Sequence, residues 1–134
     1  MTQEKLGKVA LITGAGQGIG RCIVGKMLEE GYLVVIADLD GEAAKESAAR
    51  LCTPARALVC QVDVADEAAV QGMFEHILSR FGRIDALINN AALASPRMAP
   101  LESLELRDWN RLLATNLTGV FRLSLLCSLR AAVD

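Results

Sequence analysis

Eight residues near the N-terminus, Thr13-Gly14-Ala15-Gly16-Gln17-Gly18-Ile19-Gly20, constrain this chain more than any other feature. They follow a short apolar run, Lys8 to Thr13, that reads as a buried strand. They lead into Gly18–Glu30, where Ile19, Ile23 and Met27 share one helical face with Val24 and Leu28 beside them, and Gly31 stops the helix. Glycines belong in such a loop where the chain turns tightly and its N–H groups meet an anion with no Cβ in the way. The helix N-terminus adds its dipole to the same place. The loop therefore predicts a pyrophosphate site built by Gly14, Gly16, Gln17, Gly18, Ile19 and Gly20. A merely tight strand-to-helix turn would be a costly use of four glycines. The working spacing is Gly14-x-x-x-Gly18-x-Gly20, since Ile19 or Arg21 stands where Gly-x-Gly-x-x-Gly needs its third glycine. Downstream, Gly20-Arg-Cys-Ile-Val-Gly25-Lys26 imitates a nucleoside-triphosphate loop, but Met27 replaces the magnesium-holding Ser/Thr and the segment lies inside the helix.

The rest of the chain alternates regularly. Leu33–Ala37 reads as a second strand ending at Asp38, and Asp40 as the N-cap of an Ala-rich helix from Glu42 to about Leu51, closed by Thr53-Pro54. Ala57–Val62 is a third strand ending at Asp63. Asp66 caps a helix that runs to Phe81 and stops at Gly82. Ile84–Asn89 is a fourth strand. A loop with Ser95-Pro96 and Pro100 precedes one long helical region from about Ser103 to the end, bent near Asn116. Strand–helix alternation with continuously apolar strands predicts an α/β fold: a Rossmann-type, doubly wound parallel sheet, strand order 3-2-1-4. The 134 residues, 52% hydrophobic, form a single unit, 1–134.

Composition narrows the function. A net charge of −2 without charge runs argues against a nucleic-acid partner. The longest uninterrupted aliphatic stretch, Leu33 to Ala37, is far below the roughly 20 residues that cross a bilayer, so no membrane partner is expected. Met1–Lys5 has no secretory character, and the expected location is cytoplasmic. Cys22, Cys52, Cys60 and Cys127 are scattered beside one histidine, His76, which gives no metal site.

Asp38 stands 18 residues after Gly20, where a ribose-binding acid is expected. Its carboxylate accepts hydrogen bonds from ribose hydroxyls and repels a 2′-phosphate. Neither Gln17 nor Leu39 supplies a cation to offset that repulsion, so NAD is favoured over NADP.

With these residues in hand, the sequence resembles the short-chain dehydrogenase/reductase family from Lys8 to about Leu126. Thr13–Gly20 matches the family's Thr-Gly-x-x-x-Gly-x-Gly cofactor loop. Asp63-Val64 matches its Asp-Val/Leu pair, whose carboxylate faces the adenine amino group. Asn89-Asn90-Ala91-Ala92 is similar to its Asn-Asn-Ala-Gly motif flanking the cofactor, with Ala92 in place of glycine. Thr115-Asn116-Leu117-Thr118-Gly119 resembles the helix segment whose asparagine opens the catalytic tetrad, which makes Asn116 the catalytic candidate.

The resemblance also implies a serine, a tyrosine and a lysine four residues beyond it, the last lowering the tyrosine pKa. These follow the long helix in the family. Here the only tyrosine is Tyr32, and position 36 is Ile. The expectation is therefore an NAD-dependent oxidoreductase of alcohols and ketones represented by its cofactor-binding half, truncated before the later strands and inactive alone. Its alcohol or ketone substrate would bind only in a full-length parent, and the last helix (Val120, Phe121, Leu125, Leu126, Leu129) offers a homo-oligomer surface. Arg97 and Arg107 either flank a substrate mouth or are solvated. Two alternatives stand beside this: a non-catalytic NAD-binding module that pairs with an intact homologue, and an S-adenosylmethionine-dependent methyltransferase. The latter would open its loop with an acid, where this chain has Thr13, and leaves Asn89-Asn90-Ala91 without a reason.

Overall fold

The computed structural model describes residues 7–94 and 99–131. The N-terminal Met1–Lys5, the Ser95-Pro96 turn, Arg97 and the last three residues lie outside the described residues. Four strands, β1 (Val9–Thr13), β2 (Leu33–Asp38), β3 (Ala57–Gln61) and β4 (Ala86–Ile88), form one parallel sheet of order β3-β2-β1-β4. Among the described residues five α-helices accompany them: α1 (Gly18–Glu29), α2 (Gly41–Leu51), α3 (Glu67–Phe81), α4 (Leu106–Leu113) and α5 (Gly119–Ala131).

The sheet is covered on both faces because the strands are apolar at every position before their C-terminal residues Thr13, Asp38 and Gln61, while successive side chains alternate in direction. Ala10, Ile12, Val34 and Ile36 pack with Val24 and Leu28 of α1 and Ala44 of α2. Val9, Leu11 and Val35 pack on the opposite face with Phe74 and Ile77 of α3 and Leu123 of α5. Each such buried side chain contributes about 1.5–3 kcal/mol. The helix ends follow local chemistry. Asp40 and Asp66 each accept the third following N–H, from Ala43 and Ala69 at 3.0 Å. Gly82 ends α3 in the left-handed region at φ 76°.

Two boundaries differ from the sequence expectation. Strand β4 has three residues instead of the six of Ile84–Asn89, because side chains take over both its ends. The Asp85 carboxylate accepts the Val9 N–H at 2.8 Å, and Thr13 Oγ1 accepts the N–H groups of Asn90 and Ala91 at 3.1 and 3.0 Å. The long helix starts at Leu106, not Ser103, because the Ser103 hydroxyl donates to the Pro100 carbonyl and closes a separate 3-10 turn, Leu101–Ser103. The expected bend near Asn116 is a wide π turn, Ala114–Thr118, between α4 and α5.

By length and composition Leu106–Arg130 would suffice to cross a membrane, a property that counting uninterrupted apolar runs misses. Its apolar residues serve two other surfaces. Thr115, Gly119 and Leu123 are buried against the rest of the fold, whereas Leu106, Trp109, Leu113, Leu117, Phe121, Leu125 and Leu129 face outward.

Candidate functional site

The C-terminal ends of the four parallel strands converge on one cleft, where open α/β sheets take ligands. Its volume is about 280 Å³, and its walls include Gly14, Gln17, Asp38, Leu39, Asp63, Val64, Asn90, Ala91 and Ala92. Gly16, Gly18, Ile19 and Gly20 belong to the loop at its edge and do not line it. Asn116 does not line it either, although its neighbour Thr115 does.

The loop's conformation accounts for its glycines. Gly14 and Gly18 adopt φ 63° and 55°, which L side chains rarely enter. A Cβ on Gly20 would stand 2.0 Å from the Gly14 carbonyl oxygen, so α1 rests directly on the turn before it. A Cβ at Gly18 would meet nothing within 4 Å. The space outside the loop at that point is open, and the N–H groups of the first turn of α1 have no intrahelical acceptor. A pyrophosphate fits that combination of free donors, helix dipole and bare backbone.

Asp38 ends β2 beside the loop and is half-buried. One carboxylate oxygen accepts the Gly16 N–H at 2.8 Å, the other the Asp40 N–H at 2.9 Å. Each oxygen keeps a lone pair, so Asp38 can still receive ribose hydroxyls while holding the loop in place. Across the cleft, Asp63 accepts the Ala65 N–H at 2.9 Å, and Val64 beside it is buried. The Arg122 guanidinium reaches the carbonyls of Val64 and Ala65 at 3.4 and 3.3 Å and braces that turn from α5.

Asn90 is a brace as well as a wall. Its side-chain N–H group donates to the carbonyls of Thr13 and Gly14, both at 3.1 Å, tying the exit of β4 to the glycine loop. Asn116 makes a two-way bond with the backbone of Leu93, accepting its N–H at 2.7 Å and donating to its carbonyl at 2.8 Å. Asn116 lies within the wide turn Ala114–Thr118. Arg107 pairs with Glu105 at 2.9 Å on the surface.

Sequence reasoning gave no role to the Thr13 hydroxyl or to Arg21, Ser47 and Arg111, which the structure brings to the loop and cleft. Thr13 anchors β4 through its hydroxyl. Arg21 and Ser47 hold the loop from α1 and α2. Arg111 lines the cleft as the one cation among the described lining residues. Ser47 carries the only signal that reading could have used, a hydroxyl on the inward face of an otherwise Ala-rich helix. The tyrosine question has a spatial answer too. Tyr32 sits before β2, at the far end of that strand from Asp38, about 20 Å away at 3.3 Å per residue.

Comparisons with known proteins agree with this geometry. The family model described as short chain dehydrogenase matches residues 8–129. D-threitol dehydrogenase of Mycolicibacterium smegmatis is 44% identical over 118 residues, covering 86% of this chain and 44% of the relative. Sorbitol dehydrogenase of Cereibacter sphaeroides is 41% identical over 113 residues, covering 84% of this chain and 43% of that protein. Among solved structures, the 3-ketoacyl-(acyl-carrier-protein) reductase of Brucella melitensis complexed with NADH superposes with a TM-score of 0.83 at 35% identity, covering 89% of this chain and 48% of that one. The chain thus spans somewhat under half the length of these relatives.

Proposed function

The chain belongs to the short chain dehydrogenase family, and from that premise we propose that it is the cofactor-binding half of an NAD(H)-dependent oxidoreductase acting on an alcohol/ketone pair. One observation carries the reading: a glycine loop with free N–H groups at the mouth of the first crossover, clamped by the carboxylate of Asp38 at the end of the next strand. When bound, the nicotinamide ring gives or takes a hydride. The residues of this chain bind and orient. Gly14, Gly16, Gln17, Gly18, Ile19 and Gly20 surround the pyrophosphate. Asp38 and Leu39 take the adenosine ribose, Asp63 and Val64 the adenine, and Asn90, Ala91 and Ala92 flank the path toward the nicotinamide.

The names of two relatives, D-threitol dehydrogenase and sorbitol dehydrogenase, support an alcohol as the substrate. Within these 134 residues Tyr32 is on the wrong end of the sheet to protonate anything in the cleft. The chain by itself binds dinucleotide and does not turn it over. The methyltransferase alternative has no support from the family match.

Asp38 sets the preference for NADH over NADPH, because its charge opposes a 2′-phosphate. Fluorescence titration of the 134-residue chain tests this: NADH binds more tightly than NADPH, and Asp38→Ala narrows the ratio. An unchanged ratio in Asp38→Ala defeats the assignment of NAD, and absence of binding by the folded wild-type chain defeats the dinucleotide reading itself.

A second reading is favoured by the outward row on α4 and α5. Running about 35 Å at 1.5 Å per residue, it is apolar at Leu106, Trp109, Leu113, Leu117, Phe121, Leu125 and Leu129. Such a row is self-complementary about a two-fold axis, and we assign it to a second copy of this chain or, for a non-catalytic module, to the same helix of an intact homologue. Sedimentation separates them: a dimer of the isolated chain supports the first, a monomer that associates only with the homologue the second.

A further inference from the structure

The loop has to show the pyrophosphate its N–H groups and hide its carbonyl oxygens, since each inward carbonyl would place a partial negative charge against an anion. Four successive carbonyls are held away by side-chain donors from three separate elements. Asn90 takes those of Thr13 and Gly14. The Ser47 hydroxyl donates to Ala15 at 2.8 Å, and the Arg21 guanidinium donates to Gly16 at 2.6 Å. Arg21 also donates through Nε to Ser47 Oγ at 2.8 Å, so the two groups form one chain of hydrogen bonds from α1 through α2 to the loop. Ser47 is fully buried, and Glu46 stands 3.8 Å from the Arg21 guanidinium.

From this we infer that Arg21 and Ser47 are positioning residues for the pyrophosphate, acting through the Ala15 and Gly16 peptides and not by touching the ligand. This rests on the dinucleotide reading above. The peptide between Gly16 and Gln17 is the one at stake: its carbonyl is held by Arg21, so its N–H, on Gln17, points the other way, toward the open side of the loop. The Gly16 N–H is already committed to Asp38. Without Arg21 the Gly16–Gln17 peptide is free to rotate, and without Ser47 the Ala15–Gly16 peptide is held by Asp38 alone; rotation exchanges a donor for an acceptor at the anion.

The test compares ligands that differ in the pyrophosphate. ADP-ribose and adenosine are titrated into the wild-type chain, Ser47→Ala and Arg21→Met, with amide spectra and melting temperatures alongside. Each variant is expected to bind ADP-ribose about tenfold more weakly, the effect of losing one charge-assisted hydrogen bond, with adenosine affinity unchanged. Amide shifts between the variants and the wild type should be confined to the loop and its two braces. Wild-type ADP-ribose affinity in both variants overturns the inference. So does loss in Arg21→Met alone, which would assign the effect to the arginine's charge, and so does equal weakening of both ligands with a lowered melting temperature, which would make the pair purely structural. If the wild-type chain binds neither ligand, the dinucleotide reading is what fails.

Discussion

Three glycines differ so sharply in surroundings that alanine at each should give a different sign or size of effect. At Gly20 a Cβ lies 2.0 Å from the Gly14 oxygen and 2.8 Å from the Asn90 side-chain nitrogen. A carbon and a carbonyl oxygen settle at about 3.3 Å, so either the Gly14 carbonyl or the first turn of α1 must move by more than about 1 Å. That oxygen is one of the two that Asn90 holds. Gly20→Ala therefore combines overpacking, about 1–3 kcal/mol, with loss of a hydrogen bond worth about 0.5–1.5 kcal/mol. The expected destabilisation is about 2–4 kcal/mol, with dinucleotide binding lost because the donors of the loop move with it. At Gly18 nothing obstructs a Cβ, but φ is 55°. The cost of Gly18→Ala is then backbone strain of about 1–2 kcal/mol, and binding suffers because the methyl enters the space the anion needs. Gly72, inside α3, has neither an obstacle nor a positive φ, and Gly72→Ala should stabilise by about 0.5–1 kcal/mol.

Urea unfolding followed by far-ultraviolet circular dichroism gives all three values on one scale, and NADH titration gives the binding side. The order Gly20→Ala, Gly18→Ala, wild type, Gly72→Ala, from least to most stable, is the expected result. A Gly20→Ala variant within 0.5 kcal/mol of wild type would refute the close approach of α1 to the Gly14 peptide, and with it the account of why the loop carries this spacing.

Other outcomes follow from single groups. Burial opposes the charge of Asp85, but hydrogen bonds from Arg83 and Val9 and the charges of Arg83 and Lys8 outweigh it and hold its carboxyl below the usual range. Because the folded-state value is the lower one, its stabilisation is complete above about pH 4, the ordinary range of a free aspartate, and is lost as pH falls through the folded-state value. The melting-temperature difference between wild type and Asp85→Asn should be present at pH 7 and shrink toward zero below that range; a constant difference would sink the argument. Burial pushes the thiols of Cys60 and Cys127 up to about 11, so at pH 8 maleimide should label exposed Cys22 quickly and buried Cys60 only on unfolding. Equal labelling rates for the two would contradict the packing of β3.

Much of this fold is legible because it rests on local signals that point one way. Asp40, Asp66 and Gly82 cap helices as their chemistry dictates, and β-branched runs with no polar face require a sheet covered on both sides. The strand order follows from handedness once alternation is recognised. What resists reading is whatever depends on residues far apart in sequence. Strand β4 reads as six residues from Ile84 to Asn89. Yet the Asp85 carboxylate takes the Val9 N–H of β1 at its start, and the Thr13 hydroxyl, 72 positions from Asp85, takes the Asn90 and Ala91 N–H groups just past its end. The same holds in the cleft. Asp38 is visible as an acid after a strand, but its bond to Gly16 is not, and neither are Arg21, Ser47 and Arg111, whose side chains carry no motif of their own.

The wide turn Ala114–Thr118 joins two of these themes. Residues four apart drift about 40° per step around an α-helix. A row continuing as Leu113, Leu117, Phe121, Leu125 and Leu129 would therefore wind well around an uninterrupted helix, yet all five are exposed. Thr115, Gly119 and Leu123, also four apart, are all buried. A turn closed by i to i+5 bonds contains an extra residue, which takes back part of the drift and keeps one row outside and the other inside. The same extra residue gives Asn116 its reach to Leu93. Deleting Thr118, an exposed member of the turn, should return it to α-helical pitch and disturb both functions together. Association through the outward row should weaken, and the Leu93 amide should lose its protection from hydrogen exchange. If protection at Leu93 survives the deletion while association falls, or the reverse, the turn does not couple the site to the outer helix face.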